Sequence, residues 1–194
     1  MKHNLKPWQV ISKKRIVDSK WLKVDEESCL NGNGVLVDHF YIESRPEFAL
    51  IVAFDQDKNL LVVKQYRHGV QHVMTELPAG MIEIDEEPMH AAKRELLEET
   101  GYEAEAWTHL FDLAENGNDS NRHAHCFMAS GLHRVAEQQL DDTEDLTYQW
   151  IPYDEVLRML RRGEFEQAFV TAAIYRAIDR MDHEMEHQTD QTKQ

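Results

Sequence analysis

Gly80-Met81-Ile82-Glu83-Ile84-Asp85-Glu86-Glu87-Pro88-Met89-His90-Ala91-Ala92-Lys93-Arg94-Glu95-Leu96-Leu97-Glu98-Glu99-Thr100-Gly101-Tyr102 is the stretch on which the reading of this chain turns. From Glu86 to Thr100 it is filled with strong helix formers, Pro88 sits where a first helical turn tolerates it, and Gly101 stands where a C-terminal cap belongs. At about 100° per residue, Glu95, Glu98 and Glu99 fall within about 100° of arc, while Met89, Ala92 and Leu96 gather on an adjacent apolar face. The expected helix packs with one side and presents carboxylates on another. Like charges at these spacings cost about a few tenths of a kcal/mol per pair, and a bound cation removes that cost. A convergent set of carboxylates describes a hard oxygen site, suited to Mg2+ or Mn2+ rather than zinc. Such ions bridge phosphate oxygens and help to activate water. Taken by itself, a Glu-rich helix surface reads as a merely solvated face.

On the N-terminal side of this stretch the pattern is strand-like. Gln9 to Val17, Trp21 to Cys29 and Val35 to Ile42 suggest a small antiparallel sheet, with the tight-turn residues Asn31-Gly32-Asn33-Gly34 between the last two strands. The apolar runs Phe48 to Phe54 and Leu60 to Val63 read as central strands of a hairpin, followed by an extended segment from Gln71 to Leu77. Pro78-Ala79-Gly80 is expected to be a turn or loop. On the C-terminal side, strands are expected near Glu105 to Leu113, His123 to Ala129 and Leu146 to Ile151, then helices over Tyr153 to Arg161 and Glu164 to about Met181. Strands mixed with few helices, without regular βα alternation, indicate an α+β or mixed-sheet sandwich rather than a Rossmann sheet.

Composition narrows the function. The chain has 194 residues, enough for one sizeable core, with 42% hydrophobic and 29% charged residues. Its 36 acidic side chains against 21 basic ones give a net charge of -15. Such a field repels nucleic acid and anionic lipid, so a small anionic substrate needs a metal or local arginines. Cys29 and Cys126 lie far apart and show no ligand spacing, which points to a reducing, cytoplasmic setting. Met1 to Gln9 is polar, and no run approaches the roughly 18 apolar residues of a membrane span. Among the 11 histidines, His123 and His125 alternate on one expected strand face without a partner at zinc-site spacing, and are read as ordinary strand histidines.

The residues of the opening stretch decide against the solvated-face reading. Gly80, Glu86, Arg94, Glu95, Leu96, Glu98, Glu99, Gly101 and Tyr102 match every specified position of the Nudix signature. That signature is Gly, five residues, Glu, seven residues, then Arg-Glu-apolar-any-Glu-Glu-any-Gly-apolar. Further resemblance, over about residues 8 to 180, comes from Gln65-Tyr66-Arg67 and Glu76-Leu77-Pro78-Ala79-Gly80, which are similar to the subgroup that hydrolyses ADP-ribose and nucleoside diphosphate sugars.

The resemblance implies a Nudix α/β/α sandwich with a mixed sheet over residues 46–181, preceded by a β-rich extension over 1–45 and followed by a polar, frayed tail over 182–194. It implies Mg2+, with Mn2+ possible, held by Glu95, Glu98, Glu99 and the Ala79 carbonyl. Glu98, Glu99, Arg94 and Glu144 form the implied catalytic set, with Glu144 or Glu98 as the base that deprotonates water and Glu86 in support. Glu144 is singled out because, in the acidic run Asp141-Asp142-Thr143-Glu144-Asp145, it stands just before Asp145 and the strand expected from Leu146. Around the substrate the resemblance places Arg67 and Arg45 on the diphosphate, Glu76 nearby, and Trp21 and Phe40 against the base. A homodimer with an exchanged or packed N-terminal sheet is implied by the family alone. One departure concerns specificity: Asn116-Gly117 stands where ADP-ribose hydrolases usually carry proline, although Ser120-Asn121-Arg122 keeps the subgroup pattern. Two other readings share the fold: a non-catalytic nucleotide sensor, and hydrolysis of RNA ends or dinucleoside polyphosphates. The intact acids count against the first and the charge balance against RNA.

Overall fold

The computed structural model describes the backbone of residues 5–191 and the side chains of 5–183; positions 1–4 of the expected extension and 192–194 of the expected tail lie outside the described residues. The chain divides into two compact units, Met1–Glu47 with Ala114–His123, and Phe48–Leu113 with Ala124–Gln194.

The smaller unit carries an antiparallel sheet in the order β1-β2-β3, formed by β1 (Gln9–Asp18), β2 (Lys23–Leu30) and β3 (Leu36–Ser44). The turn before β3 is organised by Asn31, whose Oδ1 accepts the N–H groups of Asn33 at 2.9 Å and Val35 at 3.0 Å, while Gly34 supplies a φ of 78°. Alternate residues Asp25, Glu27 and Cys29 of β2 are buried, and two of them are acidic. Cross-strand cations make this possible. Lys13 stands opposite Glu27 and Arg15 opposite Asp25, with Lys13 Nζ 2.7 Å from Asp25 and 3.2 Å from Glu27. Buried carboxylates persist only when paired in this way. The segment 114–123 joins β3 through the Glu43 N–H, which donates to the Asp119 carbonyl at 2.7 Å, and a parallel bridge between Glu43 and Ser120.

The larger unit is built around β4 (Phe48–Phe54), every residue of which is buried. Strand periodicity sorts its side chains: Phe48, Leu50, Val52 and Phe54 join one apolar cluster, and Ala49, Ile51 and Ala53 join another on the opposite face. The first cluster includes residues of α2 (Tyr153–Arg162) and α3 (Ala168–Gln191), and the second receives Ala91, Ala92 and Leu96 of α1 (Pro88–Thr100). The result is the expected three-layer α/β/α sandwich. Alanines on both sides let α1 approach the sheet closely, and fully buried Leu50 and Ile51 each contribute about 2 kcal/mol of apolar burial.

The mixed sheet runs β10-β5-β4-β9-β8, where β5 is Leu60–Arg67, β8 Tyr102–Ala114, β9 His123–Arg134 and β10 Leu146–Ile151. β4 and β9 are parallel; β6 (His72–Glu76) pairs antiparallel with β5, and β7 (Ala79–Met81) with β4. β7 corrects the expectation of a loop at Pro78-Ala79-Gly80. β5 pairs with β4 only at Ala53 and Phe54, so the rest of that edge is open, and Ala79–Met81 fills it opposite Leu50–Phe48. Buried backbone polar groups need partners, and this requirement outweighs the local turn preference of the sequence. Other boundaries also move: α1 begins at Pro88 with Glu87 as its N-cap rather than at Glu86, and α3 begins at Ala168 and continues past Met181 to Gln191.

Candidate functional site

The charged face of α1 lies against β7. Glu95 and Glu99 are 7% and 4% exposed, unusual for glutamates, and both reach toward Ala79–Gly80. The Ala79 N–H donates to Glu99 Oε2 at 3.1 Å. The Glu95 carboxylate rests on Gly80 itself: a Cβ built there would come within 1.9 Å of Glu95 Cδ. Glycine at this position makes room for the carboxylate, and no special φ calls for it.

Arg94 knits the face together. Its Nε and Nη2 fork onto Glu86 at 3.0 and 2.9 Å, Nη2 also reaches the Met81 carbonyl at 3.0 Å, and Nη1 donates to Glu95 at 2.6 Å and Glu98 at 3.0 Å. The i,i+4 pairing of Arg94 with Glu98 is one arm of this larger network. Burial pushes the Glu95 carboxyl up to about 7, with Arg94 pulling the other way. Glu99 is raised well above the ordinary carboxylate range, first by burial and then by the charges of Glu95 and Glu144, against the opposing pull of its Ala79 hydrogen bond and Arg67. Among the described residues no three His, Cys, Asp or Glu side chains are pre-arranged around one ion position. The donor chemistry nonetheless fits a hard dication: two buried, mutually repelling carboxylates and half-exposed Glu98, all oxygen donors, gain from added positive charge.

Arg67 and Glu144 belong to the same neighbourhood. Arg67 forks onto buried Glu76, with Nε 2.9 and 3.1 Å from the two carboxylate oxygens, and Gln167 Nε2 donates to the same carboxylate at 2.9 Å. The negative charges of Glu76, Glu99 and Glu144 all reinforce the protonated guanidinium. Glu144 thus lies within electrostatic reach of Glu95, Glu99 and Arg67, while its own carboxylate accepts the Asp141 N–H at 3.1 Å.

The other expected substrate contacts, Arg45, Trp21 and Phe40, belong to the smaller unit. Arg45 is paired with Glu43 and lines a cavity of ≈ 500 Å³ with Tyr41, Glu115, Asn116 and Arg122. Trp21 is 54% exposed and carries Lys20 Nζ 4.3 Å above its ring. Phe40 packs on Trp8 at 5.5 Å and stands opposite Glu27, six residues along from Trp21. Trp21 lies in the bend between β1 and β2, and Phe40 lies on β3.

Gln138 and Gln167 were not indicated by the sequence, since an isolated glutamine in a polar connection carries no signal of its partner. The histidine reading gains a detail: His125 Nδ1 lies 2.9 Å and His109 Nε2 2.8 Å from the same oxygen of Asp112, and His123 is 3.3 Å from Glu47. Cys29 and Cys126 are buried free thiols.

A sandwich with its carboxylate helix laid over a glycine-bearing strand defines a class of protein, and comparison with known proteins gives that class its name. Residues 44–173 match the model of the NUDIX domain. The chain belongs to that family. Among its relatives, the ADP-ribose pyrophosphatase of Mycobacterium tuberculosis is 36% identical over 126 residues, covering 64% of this chain and 61% of that protein, under two thirds of its length. The ADP-ribose pyrophosphatase of Bacillus subtilis is 28% identical over 167 residues, covering 86% of this chain and 90% of that protein. A crystal structure described as an ADP compounds hydrolase shares the fold, with a TM-score of 0.82 at 21% identity over 94% of this chain and 98% of that one.

Proposed function

We propose that this protein is a divalent-cation-dependent pyrophosphohydrolase acting on ADP-ribose or a related nucleoside diphosphate sugar. The observation that carries this reading is the pair of buried acids, Glu95 and Glu99, laid across Ala79–Gly80, with Arg67 anchored beside them by Glu76. Glu95, Glu98, Glu99 and the Ala79 carbonyl would hold the cation, with Mg2+ as the first choice and Mn2+ as the alternative. When bound, the ion draws electron density from the diphosphate. Arg67 steadies a diphosphate oxygen while Glu76 fixes its guanidinium plane. Arg94 spaces Glu86, Glu95 and Glu98 so that the acids do not splay apart. Glu144 or Glu98 takes the proton of the attacking water. Water adds across one bridging P–O bond, and the products are two phosphomonoesters, AMP and ribose 5-phosphate in the case of ADP-ribose.

The same reading assigns residues 46–181 to the hydrolase domain and 1–45 to an extension that binds the base and a second subunit. Arg45 would serve there as a second contact to the diphosphate, and Trp21 and Phe40 would stack on the base. Exposed Val10, Ile11, Ile16 and Val17 on β1 support a homodimer. Two free thiols agree with a reducing cytoplasm, and among the described residues no helix is long and apolar enough to cross a membrane.

Incubation of the purified protein with ADP-ribose, GDP-mannose, UDP-glucose, NADH or diadenosine polyphosphates, with Mg2+ or Mn2+, followed by chromatography, tests the proposal. Release of AMP from ADP-ribose, or of the matching monophosphate from a diphosphate sugar, is the expected result. Tight nucleotide binding without any product would instead make the protein a sensor.

A further inference from the structure

The connection between β9 and β10 carries Glu144, and it is stitched to the end of α1 by a set of hydrogen bonds that converge on one side chain. The last carbonyls of a helix have no partner within the helix and must find one elsewhere. Here the connection supplies them. Val135 and Ala136 N–H donate to the Gly101 carbonyl at 2.9 and 3.2 Å, and Gln139 N–H donates to the Glu98 carbonyl at 2.8 Å. The close approach depends on Gly101, where a Cβ would lie 2.2 Å from the Ala136 carbonyl oxygen. Gln138 adds what no backbone group provides: its Nε2 donates to the Glu99 carbonyl at 2.6 Å and reaches the Leu146 carbonyl at 3.4 Å. One amide therefore ties the backbone of a buried acid on α1 to the first residue of β10, two positions after Glu144.

The tie opposes a real force. The segment carries Asp141, Asp142, Glu144 and Asp145, and the Glu144 charge acts on both Glu95 and Glu99 of α1. Without a cation between them, like charges push Glu144 away from α1, and a neutral amide holds the connection without adding either sign of charge.

We infer that Gln138 is a positioning residue for the reaction, holding Glu144 at a fixed distance from the acids of α1 by bridging the Glu99 and Leu146 carbonyls. The inference rests on the reading of Glu144 as the base that activates water. The backbone bonds of Val135, Ala136 and Gln139 do not involve the Gln138 side chain, so they survive its replacement and the fold survives with them.

A double-mutant cycle tests this, using Gln138→Met, which keeps the length but loses the donors, and Glu144→Gln. With ADP-ribose and Mg2+, Gln138→Met lowers kcat by about 10- to 100-fold, the consequence of a misplacement of about 1 Å, and changes KM by less than about twofold. Thermal midpoints stay within about 2 °C of the parent, a shift that would correspond to under about 1 kcal/mol. Hydrogen exchange quickens over 140–145 and not over α1. In the Glu144→Gln background, Gln138→Met causes no further loss. Parental kcat in Glu144→Gln overturns the base assignment and the inference with it. A slow Glu144→Gln together with parental kcat in Gln138→Met, or a full additional loss in the double variant, overturns the positioning role alone.

Discussion

Replacing Gly80 by alanine is a one-methyl perturbation whose effect can be worked from the coordinates. The new Cβ would sit 1.9 Å from Glu95 Cδ and 2.0 and 2.2 Å from its two oxygens. Nonbonded carbon atoms rest at about 3.5–4.0 Å, so the carboxylate must withdraw by about 1.5 Å or more. Because Gly80 does not need a left-handed backbone, alanine itself fits β7, and the change from glycine favours the strand by up to about 1 kcal/mol. What yields is the far end of the Glu95 side chain, which must break its 2.6 Å contact with Arg94 or turn away from Ala79–Gly80. An error of about 1 Å in a reacting assembly costs about 100-fold in rate, so Gly80→Ala is expected to lose at least that much of kcat toward ADP-ribose with Mg2+. Calorimetric titration with Mg2+ should show weaker uptake, while far-UV circular dichroism and the thermal midpoint stay close to the parent. Glu95→Ala supplies the control. With the carboxylate gone there is room for the methyl, and adding Gly80→Ala to that variant should change neither rate nor stability. Near-parental kcat and Mg2+ uptake in Gly80→Ala would refute the idea that Glu95 must lie on β7 to work.

Glu99→Gln is expected to remove at least about 100-fold of kcat while leaving the thermal midpoint unchanged or raised, because burial already disfavours the charged carboxylate and glutamine keeps an acceptor for the Ala79 N–H; a fall in stability matching the fall in rate would contradict this. Asp25 predicts a pH effect: Arg15 and Lys13 hold its carboxyl down to about 2 from an ordinary 3.8, so its contribution is present above the unfolded value and is lost as the pH falls through about 2. Melting curves of Asp25→Asn should therefore lie below those of the parent at neutral pH and converge with them between about pH 4 and pH 2, and a gap that widens on acidification would reverse the sign of the argument.

How much of this was legible without coordinates depends on the range over which each feature is specified. The bounds of β4 and β10 follow from uninterrupted or alternating apolar runs, and the end of α1 from Gly101, because periodicity and capping are properties of neighbouring residues. The cluster of acids and its glycine could be read for the same reason: their spacing places them on one helix face and in the chain segment that precedes it. Strand β7 could not be read, since Ala79–Met81 is extended only because β4 has an open edge there. Asp25 and Glu27 look like solvated strand residues until Lys13 and Arg15 are seen across the ladder. Gln167 lies 91 residues from the Glu76 it supports, and Gln138 lies 39 from the Glu99 carbonyl it holds.

The linear order of residues therefore determined most strands, the acid-bearing helix and the signature whose resemblance implied the layered fold, because hydrophobic period, helix ends and motif spacing are local quantities. The tertiary structure alone decided which charges are paired, which acids are buried deeply enough to resist ionisation, and which amides hold the surrounding segments in place. Those are sums over through-space distances, and sequence separation does not encode them.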